Sequence, residues 1–273
     1  MTIDHTKTVV FITGANTGIG NQTVRHLLSS DVAYHIFLAA RTKDKAEDAI
    51  LKLKEEYQNT KSELSSVVLD LEDDGSIERA VGEVRSLTDR IDVLINNAGV
   101  ELDHLGPSLG LSQREIFLRT YSTNIAGPHI LTTHLIPLLL KSANPRLLFL
   151  TSGTASFELS SNPDFILNKS PISGWPKPPQ RELFAYKSSK VALNMLMRDW
   201  HRILREDEVK VWAVNPGFVL TGLGGDRGVL KSLGAGDAGG SGGFVVGVVE
   251  GKRDGDVGRI VQREWIYGDT LPF

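Results

Sequence analysis

Tyr186 and Lys190 stand four residues apart in Tyr186-Lys187-Ser188-Ser189-Lys190, a spacing that puts a phenol and an ammonium on one face of a helix. A free phenol ionises near pH ~10, and a neighbouring positive charge favours its anion. Such a pair is suited to moving a proton to or from oxygen near neutral pH. The same spacing is common in surface pairs, so the company it keeps decides. Near the start, Thr13-Gly14-Ala15-Asn16-Thr17-Gly18-Ile19-Gly20 follows an apolar run and opens a helical pattern. Glycines at 14, 18 and 20 permit a tight turn, let a pyrophosphate approach the backbone, and aim a helix N-terminus at negative charge. One segment can hold a dinucleotide and the other can transfer a proton. Together they point to carbonyl or alcohol chemistry on a nicotinamide. Ser152 closes an apolar run and offers a hydroxyl to an oxygen on which charge develops, with Thr151 as the competing hydroxyl.

The second apolar run ends in Ala39-Ala40-Arg41 rather than in an acidic residue. An aspartate or glutamate there would accept from a ribose 2′-hydroxyl and repel a 2′-phosphate. Arg41 instead presents a planar fork suited to phosphate, with Lys43 and Lys45 nearby, so NADPH is expected over NADH. Gly234-x-Gly236-x-x-Gly239 matches the commoner dinucleotide spacing but has no strand before it. It reads as a flexible loop.

These residues must be positioned by the elements around them. Short β-rich runs alternate with longer helical patterns, which predicts one α/β domain: a Rossmann-type, doubly wound, mostly parallel seven-stranded sheet with helices on both faces. Strands are expected over residues 8–13, 33–39, 64–70, 92–96, 146–152, 209–214 and 258–262. Helices are expected over 18–30, 43–57, 76–88, 112–140 and 186–205. Residues 153–183 form a long proline-bearing insertion and residues 222–243 a glycine-rich substrate loop. Both follow strand ends, the edge where open α/β sheets bind ligands. The aromatics Phe157, Phe165 and Trp175 are candidates for a pocket lining or for packing within the insertion.

Composition removes several function classes. The 273 residues include no cysteine, which excludes disulfides, thiol catalysis and cysteine-ligated metals and fits a reducing compartment. A net charge of -3 gives no reason to expect nucleic acid or an anionic membrane as partner. The start lacks the apolar core of a secretory signal, and no apolar run is long enough to span a bilayer, so a cytoplasmic protein is expected. The seven histidines, His129 and His134 among them, lack metal-ligand spacing, so no metal site is expected.

Across nearly its whole length the chain resembles the short-chain dehydrogenase/reductase family. The resemblance rests on Thr13–Gly20, Asp70, Asn96-Asn97-Ala98-Gly99, Asn124, Ser152, Tyr186 with Lys190, and Asn215-Pro216-Gly217 in this order at strand ends. It implies sheet order 3-2-1-4-5-6-7, with Tyr186 as general acid and Lys190 tuning it and holding the nicotinamide ribose. Ser152 would stabilise the substrate oxygen, and Asn124 would support a water-linked proton relay. The cofactor NADP(H) would lie along Gly14, Asn16, Thr17, Gly18, Ile19, Gly20, Arg41, Asp70, Leu71, Asn97, Ala98, Gly99, Tyr186, Lys190, Pro216, Gly217, Val219 and Thr221. Asp70 resembles the aspartate that binds the adenine amino group, a strand-end turn aspartate being the other reading. Asn97 resembles a structural residue more than a chemical one. The resemblance further implies reduction of a small-molecule ketone or aldehyde by a homodimer or homotetramer. Alcohol oxidation with NAD(P), or cofactor binding without turnover, are the alternatives. The insertion before Tyr186 resembles that of carbonyl reductases. The ending Val249–Gly258 resembles fungal members of the family, many of them tied to secondary metabolism.

Overall fold

In a computed structural model, residues 3–4, 6–164, 168–177, 183–223, 225, 227–232, 234–265 and 268–272 are described. Of the three aromatics expected near the site, Phe165 lies outside them. The apolar runs become β1 (Thr8–Ile12), β2 (Tyr34–Ala40), β3 (Glu63–Val68), β4 (Val93–Asn96), β5 (Arg146–Leu150), β6 (Lys210–Asn215) and β7 (Ile260–Trp265). These seven pair in parallel in the order β3-β2-β1-β4-β5-β6-β7. The sheet has eight strands rather than seven: β8 (Gly268–Leu271) adds an antiparallel edge, with Ile260 opposite Leu271. Four residues reading Gly-Asp-Thr-Leu carry no apolar run, so β8 is held by pairing with β7 and not by its own pattern.

Alternate strand residues enter opposite layers, as the pleat requires. Val9, Phe11, Phe37, Leu94 and Phe149 pack on one face against Ile77, Leu131, Leu135 and Met197. Val10, Ile12, Ile36, Leu148 and Trp212 pack on the other against Val24, Leu27, Leu53 and Val245. Helices follow the strands: α1 (Gly18–Leu28), α2 (Lys43–Glu56), α3 (Asp74–Leu87) and the short α4 (Leu105–Ser108). Farther along come α5 (Gln113–Tyr121), α6 (Gly127–Leu139), α7 (Phe157–Ser161), α8 (Phe184–Ile203), α9 (Arg227–Ser232) and α10 (Ala238–Val249). Among the described residues no helix is long and apolar enough to cross a membrane.

Two expectations change. The single helix expected over 112–140 is two helices joined by a π-helical turn, Ser122–Ala126, in which Asn124 lies. Ser112 starts the first with a capping box, its hydroxyl accepting from the Glu115 N–H while the Glu115 carboxylate accepts from the Ser112 N–H at 2.7 Å. The glycine-rich loop expected to reach residue 243 ends earlier, because Ala238 begins α10. Glycine disfavours helix by about 1 kcal/mol per residue, yet here the missing side chains allow close packing. A β-carbon on Gly242 would lie 2.5 Å from the backbone carbon of Gln22 and 2.7 Å from the Thr23 nitrogen, so α10 rests directly on the α1 backbone. Asp237 caps its start, accepting from the Gly239 N–H at 2.7 Å, and burial of Val245, Val246, Val248 and Val249 opposes the low propensity.

Candidate active site

Lys190 is buried on α8, and its Nζ donates to the backbone carbonyl of Leu150 at 2.8 Å. That carbonyl ends β5, the strand that delivers Ser152, so one hydrogen bond ties the helix bearing Tyr186 to the strand bearing the serine. The ammonium lies 5.8 Å from the centre of the Tyr186 ring. The Ser152 hydroxyl lies near enough to the Tyr186 phenol to favour its anion; it is hydrogen-bonded to Thr154 Oγ1 at 2.9 Å and accepts from the Thr154 N–H at 3.2 Å, capping the turn after it. Thr151 faces the other way, donating to Asn194 Oδ1 at 2.6 Å inside the core. Alternation along the strand end therefore gives the site one hydroxyl and the core the other.

Electrostatically the pair departs from expectation. Lys190 is expected to lower the phenol's pKa; instead burial pushes Tyr186 up to about 12, with the nearby Ser152 hydroxyl opposing the rise and the Glu101 carboxylate adding to it. Burial likewise lowers Lys190 to about 8. Both shifts have one cause, since withdrawal from water disfavours whichever form is charged.

Asn124 is fully buried, and its amide spans the Val100 backbone: Oδ1 accepts from the Val100 N–H at 2.8 Å and Nδ2 donates to the Val100 carbonyl at 3.0 Å. Nδ2 also donates to Ser189 Oγ at 2.9 Å. Gly99 fills the gap between Asn124 and Lys190, where a β-carbon would stand 3.2 Å from Asn124 Oδ1 and 3.4 Å from Lys190 Nζ. The π turn places the side chain there, and such turns recur at functional sites.

The glycine turn is fastened to this arrangement. Asn97 Nδ2 donates to the carbonyls of Thr13 at 2.7 Å and Gly14 at 3.1 Å, while Thr13 Oγ1 accepts from the Asn97 and Ala98 N–H groups. Gly14 and Gly18 have φ of +62° and +58°, a region that favours glycine. Thr17 gives α1 no side-chain cap, so the first-turn N–H groups of Gly18, Ile19 and Gly20 have no side chain competing for them. Asn16 is half-buried in the same turn. The Thr221 side chain closes over it, its Cβ 3.6 Å from where a Gly18 β-carbon would stand.

Arg41 is exposed at the end of β2, immediately before Thr42 caps α2. Asp70 forms a strand-end turn in which its Oδ1 accepts from the Glu72 N–H at 3.0 Å. Leu71 is buried, its carbonyl 2.4 Å from where a Gly127 β-carbon would stand, so this loop docks on the start of α6. Beyond β6, Asn215 Oδ1 accepts from the Gly217 N–H at 3.2 Å and the Pro216 carbonyl accepts from buried Ser241 Oγ at 2.7 Å. Val219 pairs in parallel with Gly236, so the glycine pattern at 234–239 lines the segment bearing Val219 and Thr221 rather than forming a second phosphate turn. Phe157 and Trp175 are exposed, at 66% and 88%.

Sequence reasoning missed the acidic stretch after β4. Glu101 is buried, its carboxylate accepting from the His104 backbone N–H at 3.0 Å and hydrogen-bonded to His104 Nδ1 at 2.8 Å. Asp103 bonds the start of α8. Asp103 carries no periodic or motif signal, because it acts on residues 82 and 83 positions away. Concavities also occur around the opposite strand ends, lined by Leu28, Tyr57 and Thr60, but none of these residues belongs to the site.

A family model described as short chain dehydrogenase matches residues 8–165 and 166–228. The chain belongs to the short-chain dehydrogenase/reductase family. This short-chain dehydrogenase/reductase is similar to short-chain dehydrogenase/reductase tropE of Talaromyces stipitatus, with 40% identity over 271 residues and 98% of each chain covered. Its fold is similar to that of the NADPH-bound carbonyl reductase from chicken fatty liver: TM-score 0.75, 24% identity, 98% of this chain and 99% of that one covered. A 3-oxoacyl-(acyl-carrier protein) reductase from Brucella melitensis, in complex with NAD, gives TM-score 0.74 at 20% identity, with 94% and 95% covered. Likenesses at these identities show the fold alone. Family membership makes the protein an NAD(P)-dependent oxidoreductase. The residues fit a dinucleotide on their own geometry. The turn adopts positive φ at Gly14 and Gly18, the α1 N-terminus is uncapped, and a buried ammonium stands beside the tyrosine.

Proposed function

We propose that the protein reduces a small-molecule ketone or aldehyde to an alcohol with NADPH, using Tyr186 as the proton donor. The observation that carries this reading is the convergence of Ser152, Tyr186 and Lys190 at one strand edge: Lys190 is tied to the Leu150 carbonyl two residues before Ser152 and lies 5.8 Å from the Tyr186 ring. When bound, reduced nicotinamide supplies the hydride. Gly14, Asn16, Thr17, Gly18, Ile19 and Gly20 would hold the pyrophosphate, and Asp70 and Leu71 the adenine. Asn97, Ala98 and Gly99 would form a side wall, and Pro216, Gly217, Val219 and Thr221 would serve the carboxamide. Lys190 and Tyr186 would bind the nicotinamide ribose.

The Ser152 hydroxyl donates to the substrate oxygen as negative charge grows there, and Tyr186 delivers its phenolic proton to the same atom. A phenol pushed up to about 12 is protonated throughout the neutral range, the state a proton donor needs. Lys190 keeps two N–H groups beyond the one given to Leu150. Asn124 holds the Val100 backbone and so the wall beside Lys190, where proton resupply through water would enter. The test is NADPH consumption over a panel of ketones and aldehydes, and absence of turnover on all of them rejects the reading.

NADPH is the assigned coenzyme because Arg41 stands exposed where a 2′-phosphate would lie, beside the N-terminus of α2. Arg41→Ala is expected to weaken NADPH binding by about 10-fold or more, the worth of a charge-assisted hydrogen bond, and to leave NADH binding unchanged. Equal losses for both coenzymes in titration would remove Arg41 as the discriminator.

Self-association belongs to the same reading. Phe117 and Leu118 of α5 and Met195 and Ile203 of α8 are exposed apolar side chains on the two helices that frame the site. Sedimentation at micromolar concentration is expected to show a dimer or tetramer; a monomer rejects it.

A further inference from the structure

Helix α8 carries both Tyr186 and Lys190, yet its own sequence supplies no N-terminal cap. Leu183 occupies the N-cap position without a side-chain hydrogen bond, and the first turn contains no acidic residue. The second and third helical N–H groups, those of Ala185 and Tyr186, instead donate to the two carboxylate oxygens of Asp103, each at 2.9 Å. These are the groups a capping side chain ordinarily serves, and a carboxylate there also faces the positive end of the helix. Asp103 precedes Ala185 by 82 residues and lies on the segment leaving β4.

That segment is anchored on both sides of Asp103. Asn124 grips the Val100 backbone from the π turn, and Glu101 is buried against His104. The chain that leads directly into α8, by contrast, comes from the long insertion. Lys190 fixes the second turn of α8 to β5 through Leu150. Asp103 fixes the first turn to the β4 side, and Tyr186 lies between the two anchors.

We propose that Asp103 is a positioning residue for the reaction: by capping α8 from across the site, it holds the Tyr186 phenol against Ser152 independently of the insertion that precedes the helix. The inference rests on the reading of Tyr186 as proton donor, and it extends that reading to a residue without direct contact with the reacting atoms. It also gives the insertion freedom to vary in shape without moving the tyrosine.

The experiment compares Asp103→Ala and Asp103→Asn, alone and combined with Tyr186→Phe. Asp103→Ala is expected to lower kcat by about 10- to 100-fold, the cost of a small misplacement of a reacting group, with NADPH binding unchanged by fluorescence titration. Asparagine is itself a good capping residue, so Asp103→Asn recovers most of that loss. In the Tyr186→Phe background the Asp103→Ala effect largely disappears, because a residue acting through the phenol has nothing left to position. Amide exchange at 185 and 186 accelerates in Asp103→Ala. Wild-type kcat in Asp103→Ala, or the same fold-loss with and without the phenol, overturns the proposal. If Tyr186→Phe alone keeps full turnover, it is the proton-donor assignment that fails; unchanged exchange at 185 and 186 then separately overturns the cap.

Discussion

Replacing Tyr186 with phenylalanine is expected to lower kcat by about 100- to 10,000-fold, the usual worth of a positioned general acid. The substitution removes one hydroxyl and keeps the ring, so packing on α8 survives and NADPH binding changes little. Ser152 keeps its hydrogen bonds to Thr154 and still donates to the substrate oxygen, which leaves a residual rate. The wild-type pH profile follows from the same groups. The phenol, held at about 12, remains protonated across the accessible range, whereas Lys190 loses its charge near pH 8. Reduction is therefore expected to hold steady up to about pH 8 and to fall above it, with lysine rather than tyrosine setting the limb. Undiminished single-turnover rates in Tyr186→Phe would remove the tyrosine from the mechanism.

Lys190→Met is expected to abolish activity while changing stability in the opposite sense at neutral pH. Burial lowers the folded-state pKa of Lys190 from an ordinary 10.5 to about 8. Below about pH 8 the amine is charged in both folded and unfolded chains, so the burial cost is present in full. Between there and 10.5 the folded chain sheds its proton first, the unfolded chain binds more protons, and stability rises with pH until the cost is gone. That cost is about 3 kcal/mol at neutral pH by the usual conversion. Methionine removes it but leaves the buried Leu150 carbonyl without its donor, a loss of about 1–3 kcal/mol. The variant should thus equal or exceed wild type by up to about 2 kcal/mol at pH ~7, and fall behind it as pH approaches 10.5. Tyr186 is common to both proteins and cancels in the comparison. Urea unfolding at several pH values decides: a stability difference that does not move with pH means the lysine is not buried as a charge.

Much of the fold was legible because its signals are local. Nearly continuous apolar runs such as Arg146–Leu150 mark strands buried on both faces, and the glycines of Thr13–Gly20 mark a turn that only its flanking strand and helix make meaningful. What was not legible depended on partners. β8 exists because β7 offers an edge, and α10 is helical because α1 accepts a backbone without side chains between them. The π turn at Asn124 has no local signature, since widening a helix by one residue is stabilised here by the amide's hold on Val100.

By itself, then, the sequence determined the parallel sheet, the glycine turn before α1 and the residue types of the candidate site: Tyr186, Lys190, Ser152 and Asn124 could be named without coordinates. Spacing and composition carry that information because helices and strands repeat on short periods. Only the tertiary structure decided which hydroxyl faces the tyrosine, that burial raises the phenol instead of the lysine lowering it, and that Asp103 caps the helix on which both stand. Those outcomes depend on solvent exclusion and on contacts between residues far apart in the chain, neither of which exists until the elements pack.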